Sequence, residues 1–460
     1  MLRALWIAVA IGLAVVPARA GEDSDVPQVP FERYTLDNGL EVILHRDTRV
    51  PIVGVEVWYH VGSADEKPGE SGFAHLYEHM FKNSQHLHGR LHYDVLEHGG
   101  AIAANASTNT DRTNYYEILP SNQLGLALWI ESDRMGYFLP GLDTPRFHSQ
   151  REVVRNERRQ RYDNRPYGRD RFAVAEALYQ EGHPRRYLTI GRHRDIEAAT
   201  LEQVRRFYRT WYVPANATLL IAGDFDIDAT KALVQKWFGD FPTSTRPPHR
   251  VVPADPIRGP VVREIEDPFA KLRRLHYVWH SPPAMAPGDA ELDIVGGTLA
   301  RTGSGRLYES LVVEKQLAQA IDAYQLGMDG AGEFHLIINL RTGADRAEVE
   351  RLVDEELARM ATEPISSREH ARAIAKVEAS RVWGLESLKN RMSWLQWCNQ
   401  YAGDPGCIPG DLRRYRDTTP DGIRAAVARW LGAAKRAEVV TVPAGAGNGS
   451  GAESGASVDR

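Results

Sequence analysis

Residues 75–79 of this 460-residue chain are His-Leu-Tyr-Glu-His, and the assignment of both fold and chemistry begins from this stretch. A helix is predicted to begin near Ser71, so His75 and His79 lie one turn apart on the same helical face. Two imidazoles at this spacing can bind one Zn²⁺, and Glu78 is close enough to reach a water bound to the metal. The alternative, a helix with two surface histidines and a solvated glutamate, is less favoured by the motif.

A catalytic zinc needs a third protein ligand and an open fourth position, and the segment that follows Thr144 is the best candidate to supply the ligand. Thr144 is predicted to cap a helix there. Glu157 follows Val153 and Val154 by four and three residues, so it should share their apolar, inward face. A carboxylate on a buried face is costly unless it is paired or binds a metal. Glu152 lies about 140° around the helix from Glu157 and should face elsewhere.

The composition limits the classes of protein to which the chain can belong. It has 43% hydrophobic and 25% charged residues, and 56 Lys and Arg against 61 Asp and Glu give a net charge of −5. These values exclude a strongly basic nucleic-acid-binding protein and argue against a disordered or polytopic membrane protein. Residues 151–171 contain eight arginines with four acids, which we interpret as a solvated helical face with local ion pairs.

Both ends of the chain have the composition of segments outside a folded core. Residues 1–20 combine an early arginine, an apolar run and a small-x-small ending, a pattern typical of a signal peptide cleaved after Ala20. We therefore expect an exported protein without a membrane anchor after cleavage, periplasmic where the cell has an outer membrane. Residues 21–32 are assigned as an N-terminal extension, and residues 443–460, rich in Gly, Ala and Ser, as a loose tail.

The distribution of prolines divides the rest of the chain into two halves. Six prolines fall within residues 242–260, which predicts a linker between a zinc-binding domain at 33–241 and a second domain at 261–442. Strands and helices occur in runs rather than in strict alternation, which favours an α+β fold with mainly antiparallel sheets. Strands are predicted at 34–36, 40–45, 53–61, 113–119, 219–222, 275–279, 321–326 and 334–340. Helices are predicted at 91–98, 121–135, 290–300, 306–314, 344–360 and 369–388.

The two cysteines of the chain, Cys398 and Cys407, flank a Gly-Asp-Pro turn signal at 403–405. In an oxidising compartment they could close a short disulfide loop. Two unrelated buried thiols are the alternative, and the spacing favours the disulfide only slightly because it does not reveal the geometry.

Taken together, these positions resemble the insulinase/pitrilysin-type zinc metallopeptidases, which carry the inverted zinc motif. More narrowly, the chain is similar to the half-length bacterial zinc proteases related to mitochondrial processing peptidase, over roughly residues 34–442. Further matching stretches lie at 105–108 (Asn-Ala-Ser-Thr), 111–116, 131–135, 153–157, 304–308 and 314–318.

The resemblance implies one zinc ion per chain, held by His75, His79 and Glu157, with Glu78 as the general base. It also implies that the strand around Asn105 and Ala106 is a sheet edge to which a peptide substrate adds as a further strand. Each chain of such proteins has two similar α+β domains, each a mainly antiparallel sheet packed with helices. Two such units enclose a chamber around the zinc.

Two positions depart from the pattern of that family. An acid is common seven residues before the third ligand, whereas this chain has Gln150, which can still orient a ligand by hydrogen bonding. The substrate-binding Arg and Tyr of the opposite domain align with Val312 and Gln319. The resemblance therefore implies a partner, a homologous subunit that supplies Arg and Tyr.

The sequence therefore predicts an exported zinc metalloendopeptidase that hydrolyses peptides or unfolded segments, with Glu78 acting on a zinc-bound water and with a homologous subunit as partner. Two other interpretations are a non-catalytic subunit of a peptidase-like complex and a structural zinc protein. The complete His75, Glu78, His79 and Glu157 set argues against the first, and an open metal position would exclude the second.

Overall fold

The computed structural model describes residues 27–80, 84–87, 90–249, 252–257 and 259–445. The predicted signal peptide at 1–20, the first half of the N-terminal extension and most of the predicted tail lie outside the described residues. None of the helices in the described ranges is long and apolar enough to cross a bilayer.

The first half of the chain forms a six-stranded sheet in the order β1-β2-β6-β3-β5-β4. Its strands are β1 (Glu32–Thr35), β2 (Glu41–Arg46), β3 (Ile52–Tyr59), β4 (Ala103–Thr108), β5 (Thr113–Pro120) and β6 (Ala217–Gly223). All neighbours are antiparallel except β2 and β6. The strands predicted at 34–36 and 40–45 form a hairpin, because β1 and β2 pair across residues 36–40.

Most helices of the first half cover one face of this sheet and enclose the first core. The helices of this half are α1 (Phe73–Met80), α2 (His92–His98), α3 (Leu124–Gly136), α4 (Phe138–Gly141), α5 (Thr144–Arg158), α6 (Asp170–Leu178), α7 (His193–Ala198), α8 (Leu201–Trp211) and α9 (Ile227–Phe238). Tyr77 of α1, Leu128 of α3 and Phe207 of α8 are buried against Val55 and Val57 of the central strand β3. A π-helical turn, Arg159–Asp163, extends α5.

The second half forms a five-stranded sheet in the order β7-β11-β8-β10-β9. Its strands are β7 (Val261–Asp267), β8 (Arg274–Ser281), β9 (Ala318–Gly327), β10 (Gly332–Leu340) and β11 (Arg436–Pro443). Its helices are α10 (Asp289–Ala300), α11 (Arg346–Thr362), α12 (Ser367–Gly384), α13 (Leu388–Ala402), α14 (Ile408–Arg416) and α15 (Pro420–Trp430), with a π-helical segment at Tyr308–Glu314. In this sheet β7 and β11 form a parallel pair, and the other neighbouring strands are antiparallel.

The two sheets share one topology. Counted from β2 in the first half and from β7 in the second, the five strands of each sheet follow the spatial order first, fifth, second, fourth, third. In each sheet the first and fifth strands form the parallel pair. The expected α+β fold with two similar domains, each a mainly antiparallel sheet packed with helices, is therefore confirmed.

One helix from each half packs against the sheet of the other half. Helix α6 contributes Val174 and Leu178 to a cluster with Val278 of β8 and Val439 of β11. Helix α13 contributes Met392 and Leu395 to a cluster with β-strand residues of the first sheet. The helix predicted at 369–388 corresponds to α12, which ends at Gly384, and α13 was not predicted, because the chain turns at residues 385–387 to reach the first sheet. The apolar pattern does not reveal this turn, which is imposed by a distant partner.

The two cysteines form a disulfide, with 5.4 Å between their Cα atoms. Cys398 lies in α13, and Cys407 immediately precedes α14. The bridge therefore links the helix that packs on the first sheet to a helix of the second half. The preference drawn from the sequence is confirmed.

Candidate metal centre and active site

The loop before α1 fixes the start of the helix that carries the motif. Gly72 has φ +89°, and a Cβ at this position would lie 2.9 Å from the Cα of Gly191, so only glycine fits there without strain. The buried carboxylate of Glu66 accepts hydrogen bonds from the backbone N–H groups of Gly72 and Ala74, both at 2.9 Å. These bonds satisfy donors that a helix leaves unpaired at its N-terminus.

The two histidines of α1 converge on one carboxylate. Their ring centroids are 4.7 Å apart. The Nε2 atoms of His75 and His79 lie 3.7 Å and 3.0 Å from Oε2 of Glu157. The side chains of His75, His79 and Glu157 are only 9%, 11% and 15% exposed, so the three donors share a mostly dry site. The structure thus brings together the three residues for which the sequence predicts zinc binding.

Glu157 is held as a carboxylate by its surroundings. Burial raises the pKa of its carboxyl, but the hydrogen bond from His79 and the charges of His75, His79 and Arg161 outweigh burial and lower this pKa to about 2. Arg161, on the π-helical turn, contacts Oε1 at 2.9 Å and leaves Oε2 to the histidines. An ionised glutamate beside two imidazoles is a donor set that catalytic zinc uses in proteins.

Helix α5 positions Glu157, although the sequence was wrong about two details of this helix. Asp143, not Thr144, is the N-cap, and its side chain accepts from the backbone N–H of Arg146 at 2.8 Å. Val154 is fully buried, as expected, but Val153 is 41% exposed. At about 100° per residue, Val153 and Val154 lie on opposite sides of Glu157 around the helix, and only the side of Val154 faces the core.

The neighbouring acid on α5 faces away from the site. The Glu152 side chain is 48% exposed and pairs with Arg155 at 3.0 Å. The predicted difference in direction between Glu152 and Glu157 agrees with this placement. Because Glu152 shares the helix but not the site, it offers a natural control for Glu157.

Glu78 is the second carboxylate at the site, and it is held differently. Donor atoms of His75, Glu78 and His79 all lie within 4.8 Å of one another. The Oε2 atom of Glu78, however, accepts a hydrogen bond from the hydroxyl of Thr108 at 2.6 Å. Glu157 contacts both imidazoles, whereas Glu78 is tied to the sheet. That Glu157 is a ligand and Glu78 the base stays a prediction from the sequence.

Strand β4, which carries Asn105 and Ala106, is the outermost strand of the first sheet. Within the ranges that the structure describes, no strand pairs with its outer side. Ala106 packs partly against the first core, on the side of α1, while Asn105 is exposed. The side-chain oxygen of Asn105 accepts from the backbone N–H of Ala106 at 2.8 Å. The expected edge is present and lies beside the histidine helix.

The remaining predicted positions lie on α5 and in the second half of the chain. Gln150 lines a small cavity together with Met80, Phe138 and Arg146, two helical turns before Glu157. In the second half, Val312 packs against the core, and Gln319 is exposed near the start of β9, the edge strand of that sheet.

Two contacts to the site carboxylates were not assigned from the sequence. Arg161 follows Glu157 by four residues, a spacing at which side chains meet on a helix, so this contact could have been anticipated. Thr108 stands two residues after Ala106 and shares its face of the strand, but nothing in the sequence pairs it with Glu78.

Two histidines and a glutamate that converge beside a sheet edge define a site of the metallopeptidase class. The family model described as "Insulinase (Peptidase family M16)" matches residues 41–186, which include all four motif residues. The model described as "Peptidase M16 inactive domain" matches residues 198–377. This chain belongs to the insulinase family of peptidases, M16.

Several relatives in this family are named zinc proteases. The chain is 27% identical to zinc protease PqqE of Helicobacter pylori over 364 residues, which cover 76% of this chain and 80% of that protein. It is 24% identical to the uncharacterized zinc protease YmxG of Bacillus subtilis over 369 residues, which cover 79% and 86% of the two chains. These relatives support a metallopeptidase of half-length form.

Solved structures show the same fold. A protease from Helicobacter pylori superposes with a TM-score of 0.84 at 23% identity, over 91% of this chain and 100% of that one. The periplasmic protease PqqL from Escherichia coli gives a TM-score of 0.74 at 19% identity, over 91% of this chain but 48% of that one. The chain therefore corresponds to about half the length of PqqL.

Proposed function

We propose that this chain is an exported zinc metalloendopeptidase that hydrolyses peptides or unfolded polypeptide segments. The observation that carries the proposal is the convergence of His75 and His79 on Glu157, whose Oε2 atom lies 3.7 Å and 3.0 Å from the two Nε2 atoms. A structural zinc site is closed by four protein ligands. In the proposed site three residues bind the metal, and the fourth position is left for the water on which Glu78 acts.

In this proposal His75, His79 and Glu157 hold one zinc ion. Zinc in such a site lowers the pKa of a coordinated water toward roughly 7 and polarises a scissile carbonyl. Glu78 accepts the proton of the attacking water and later donates it to the leaving amine. Gln150 supports the site from α5 by hydrogen bonding, in the role that an outer residue has around a metal.

The substrate is proposed to add to the outer edge of β4. A strand bound there pairs through backbone groups, so the site accepts many sequences but requires an extended, unfolded segment. The hydrogen bond between Asn105 and the Ala106 amide must open if that amide is to bind substrate. Because β4 lies beside α1, a peptide on this edge passes next to the histidines.

Export is proposed from the signal-peptide pattern at residues 1–20. Two observations support it. A structural relative is described as a periplasmic protease, and the disulfide between Cys398 and Cys407 is of a kind that persists in oxidising compartments.

Metal analysis together with a cleavage assay tests this function directly. The purified chain should contain about one zinc per chain. It should also cleave an unfolded polypeptide, lose this activity with a chelator and regain it with added zinc. A chain that binds no zinc and cleaves nothing, alone or with any co-purifying protein, would instead be a non-catalytic subunit of a peptidase-like complex.

The active form is proposed to be a heterodimer with a homologous subunit. The positions that should carry the substrate-binding Arg and Tyr are Val312 and Gln319 here, and valine cannot donate a hydrogen bond to a carbonyl or an oxyanion. A homodimer would place each zinc site opposite another Val312 and Gln319, with no chemical gain. The match of this chain to about half of PqqL fits an assembly of two such units.

A second exported homologue that carries the Arg and Tyr should therefore activate this chain. The loss of one electrostatic donor typically costs about 10²–10³ in rate, so we expect stimulation of this order on a quenched peptide. The control is the same partner with its Arg and Tyr replaced by Val and Gln, which should bind but not stimulate. Full activity of the single chain, unchanged by the partner, would refute the heterodimer.

A further inference from the structure

The hydroxyl of Thr108 makes a short hydrogen bond to the glutamate of the motif. The distance from Thr108 Oγ1 to Glu78 Oε2 is 2.6 Å, the range of a hydrogen bond from a hydroxyl to an ionised carboxylate. The two residues are 30 positions apart in the sequence. The contact joins α1 to the last residue of β4.

The alternation of the strand explains why this side chain reaches Glu78. Thr108 and Ala106 share one face of β4, the face on the side of α1, whereas Ser107 lies on the opposite face and bonds Asn114 at 2.7 Å. Threonine is β-branched and has few accessible χ1 rotamers, so the direction of its hydroxyl is well defined. The backbone of Thr108 remains part of the outer edge strand.

The turn that follows β4 is anchored to α13 and to the turn between β9 and β10. In the turn that follows β4, Asp111 accepts hydrogen bonds from Tyr401 of α13 at 2.7 Å and from the backbone N–H of Asp329 at 3.0 Å. Arg185 donates to the Asp329 carbonyl at 2.6 Å. The turn between β4 and β5 is thereby fixed to the turn between β9 and β10, and Thr108 is attached to a rigid support.

We propose that Thr108 is a positioning residue that sets the direction of the Glu78 carboxylate and couples it to the edge strand that receives the substrate. This inference rests on the proposed peptidase function and adds a role that the zinc ligands do not have. The hydroxyl holds Oε2 and thereby fixes the direction of the carboxylate that would accept the proton of the attacking water. A strand that adds to β4 is then aligned by the same element that orients the base.

Replacement of the hydroxyl by a methyl group separates this role from packing. Thr108→Val keeps the shape of the side chain and should lower kcat about 10–100-fold, as expected when an outer hydrogen-bond partner of a metal site is removed, with KM and zinc content nearly unchanged. Thr108→Ser keeps the hydroxyl and should restore most of kcat.

The matched control is Thr113→Val in β5. Thr113 is directly opposite Thr108 in the sheet, but its hydroxyl donates to the Val61 carbonyl at 3.0 Å rather than to Glu78. The same chemical change at this position should lower thermal stability and leave kcat at its original value.

Crystals of zinc-loaded wild type and Thr108→Val provide a readout that does not depend on turnover. The Glu78 carboxylate should rotate or lose order in the variant while His75, His79 and Glu157 keep their places. An unchanged Glu78, a wild-type kcat in Thr108→Val, or an equal loss of kcat in Thr113→Val would each overturn the proposal. Absence of zinc-dependent cleavage in the wild type would refute the proposed function, and the crystals would still decide the role of Thr108.

Discussion

Glutamine in place of Glu78 should leave zinc bound to the chain and reduce turnover by about 10²–10⁴-fold. The amide of glutamine has nearly the shape of the carboxylate and can still accept the hydrogen bond from Thr108, but it cannot take a proton from water. The ligand set should persist because the variant keeps Glu157, which contacts both histidines. Elemental analysis gives the zinc content, and a quenched peptide gives kcat.

The same variant also decides between the two carboxylates of the site. A donor atom of Glu78 lies within 4.8 Å of both histidines, so geometry alone permits it to bind the metal. If Glu78→Gln lost its zinc, Glu78 would be a ligand, and the assignment of the base would be wrong. Retained zinc together with retained binding of an uncleaved peptide would identify a defect confined to proton transfer.

The sequence was sufficient for the features that depend on local periodicity. His75 and His79 are four residues apart, so a helix places them together whatever surrounds it. The phase of α5 likewise separates Glu157 from Glu152, and the structure places one at the histidines and the other 48% exposed. The strands predicted at 34–36, 40–45 and 53–61 likewise correspond to β1, β2 and β3.

Features that depend on contacts between distant segments were not accessible in this way. The break between α12 and α13 exists because α13 packs on the first sheet, more than 150 residues earlier in the chain, around Ile43, Ile118 and Leu220. The capping of α1 by Glu66 and the contact between Thr108 and Glu78 are also tertiary. Periodicity indicates which face of an element is buried, but not which element covers it.

Glutamine in place of Glu157 should weaken zinc binding by more than the 10–100-fold typical of losing an outer partner of the site, because it removes a direct ligand. The carboxylate, with its pKa near 2, is negatively charged at any working pH, so the variant also removes a charge from between two imidazoles. The fold should survive, since the pair with Arg161, whose side chain is 67% exposed, contributes at most about 1 kcal/mol. Zinc content after dialysis against a weak chelator measures the effect.

Glu152→Gln is the control for this experiment because it changes the same residue type on the same helix. Its side chain is 48% exposed and pairs with Arg151 and Arg155, so zinc content and turnover should both stay at the wild-type level. Normal zinc in Glu157→Gln with loss of zinc in Glu152→Gln would refute the choice of ligand outright. Glu157 contacts the histidines, whereas Glu152 pairs with arginines. Loss of zinc in both variants would therefore mean that α5 as a whole, and not one carboxylate, maintains the site.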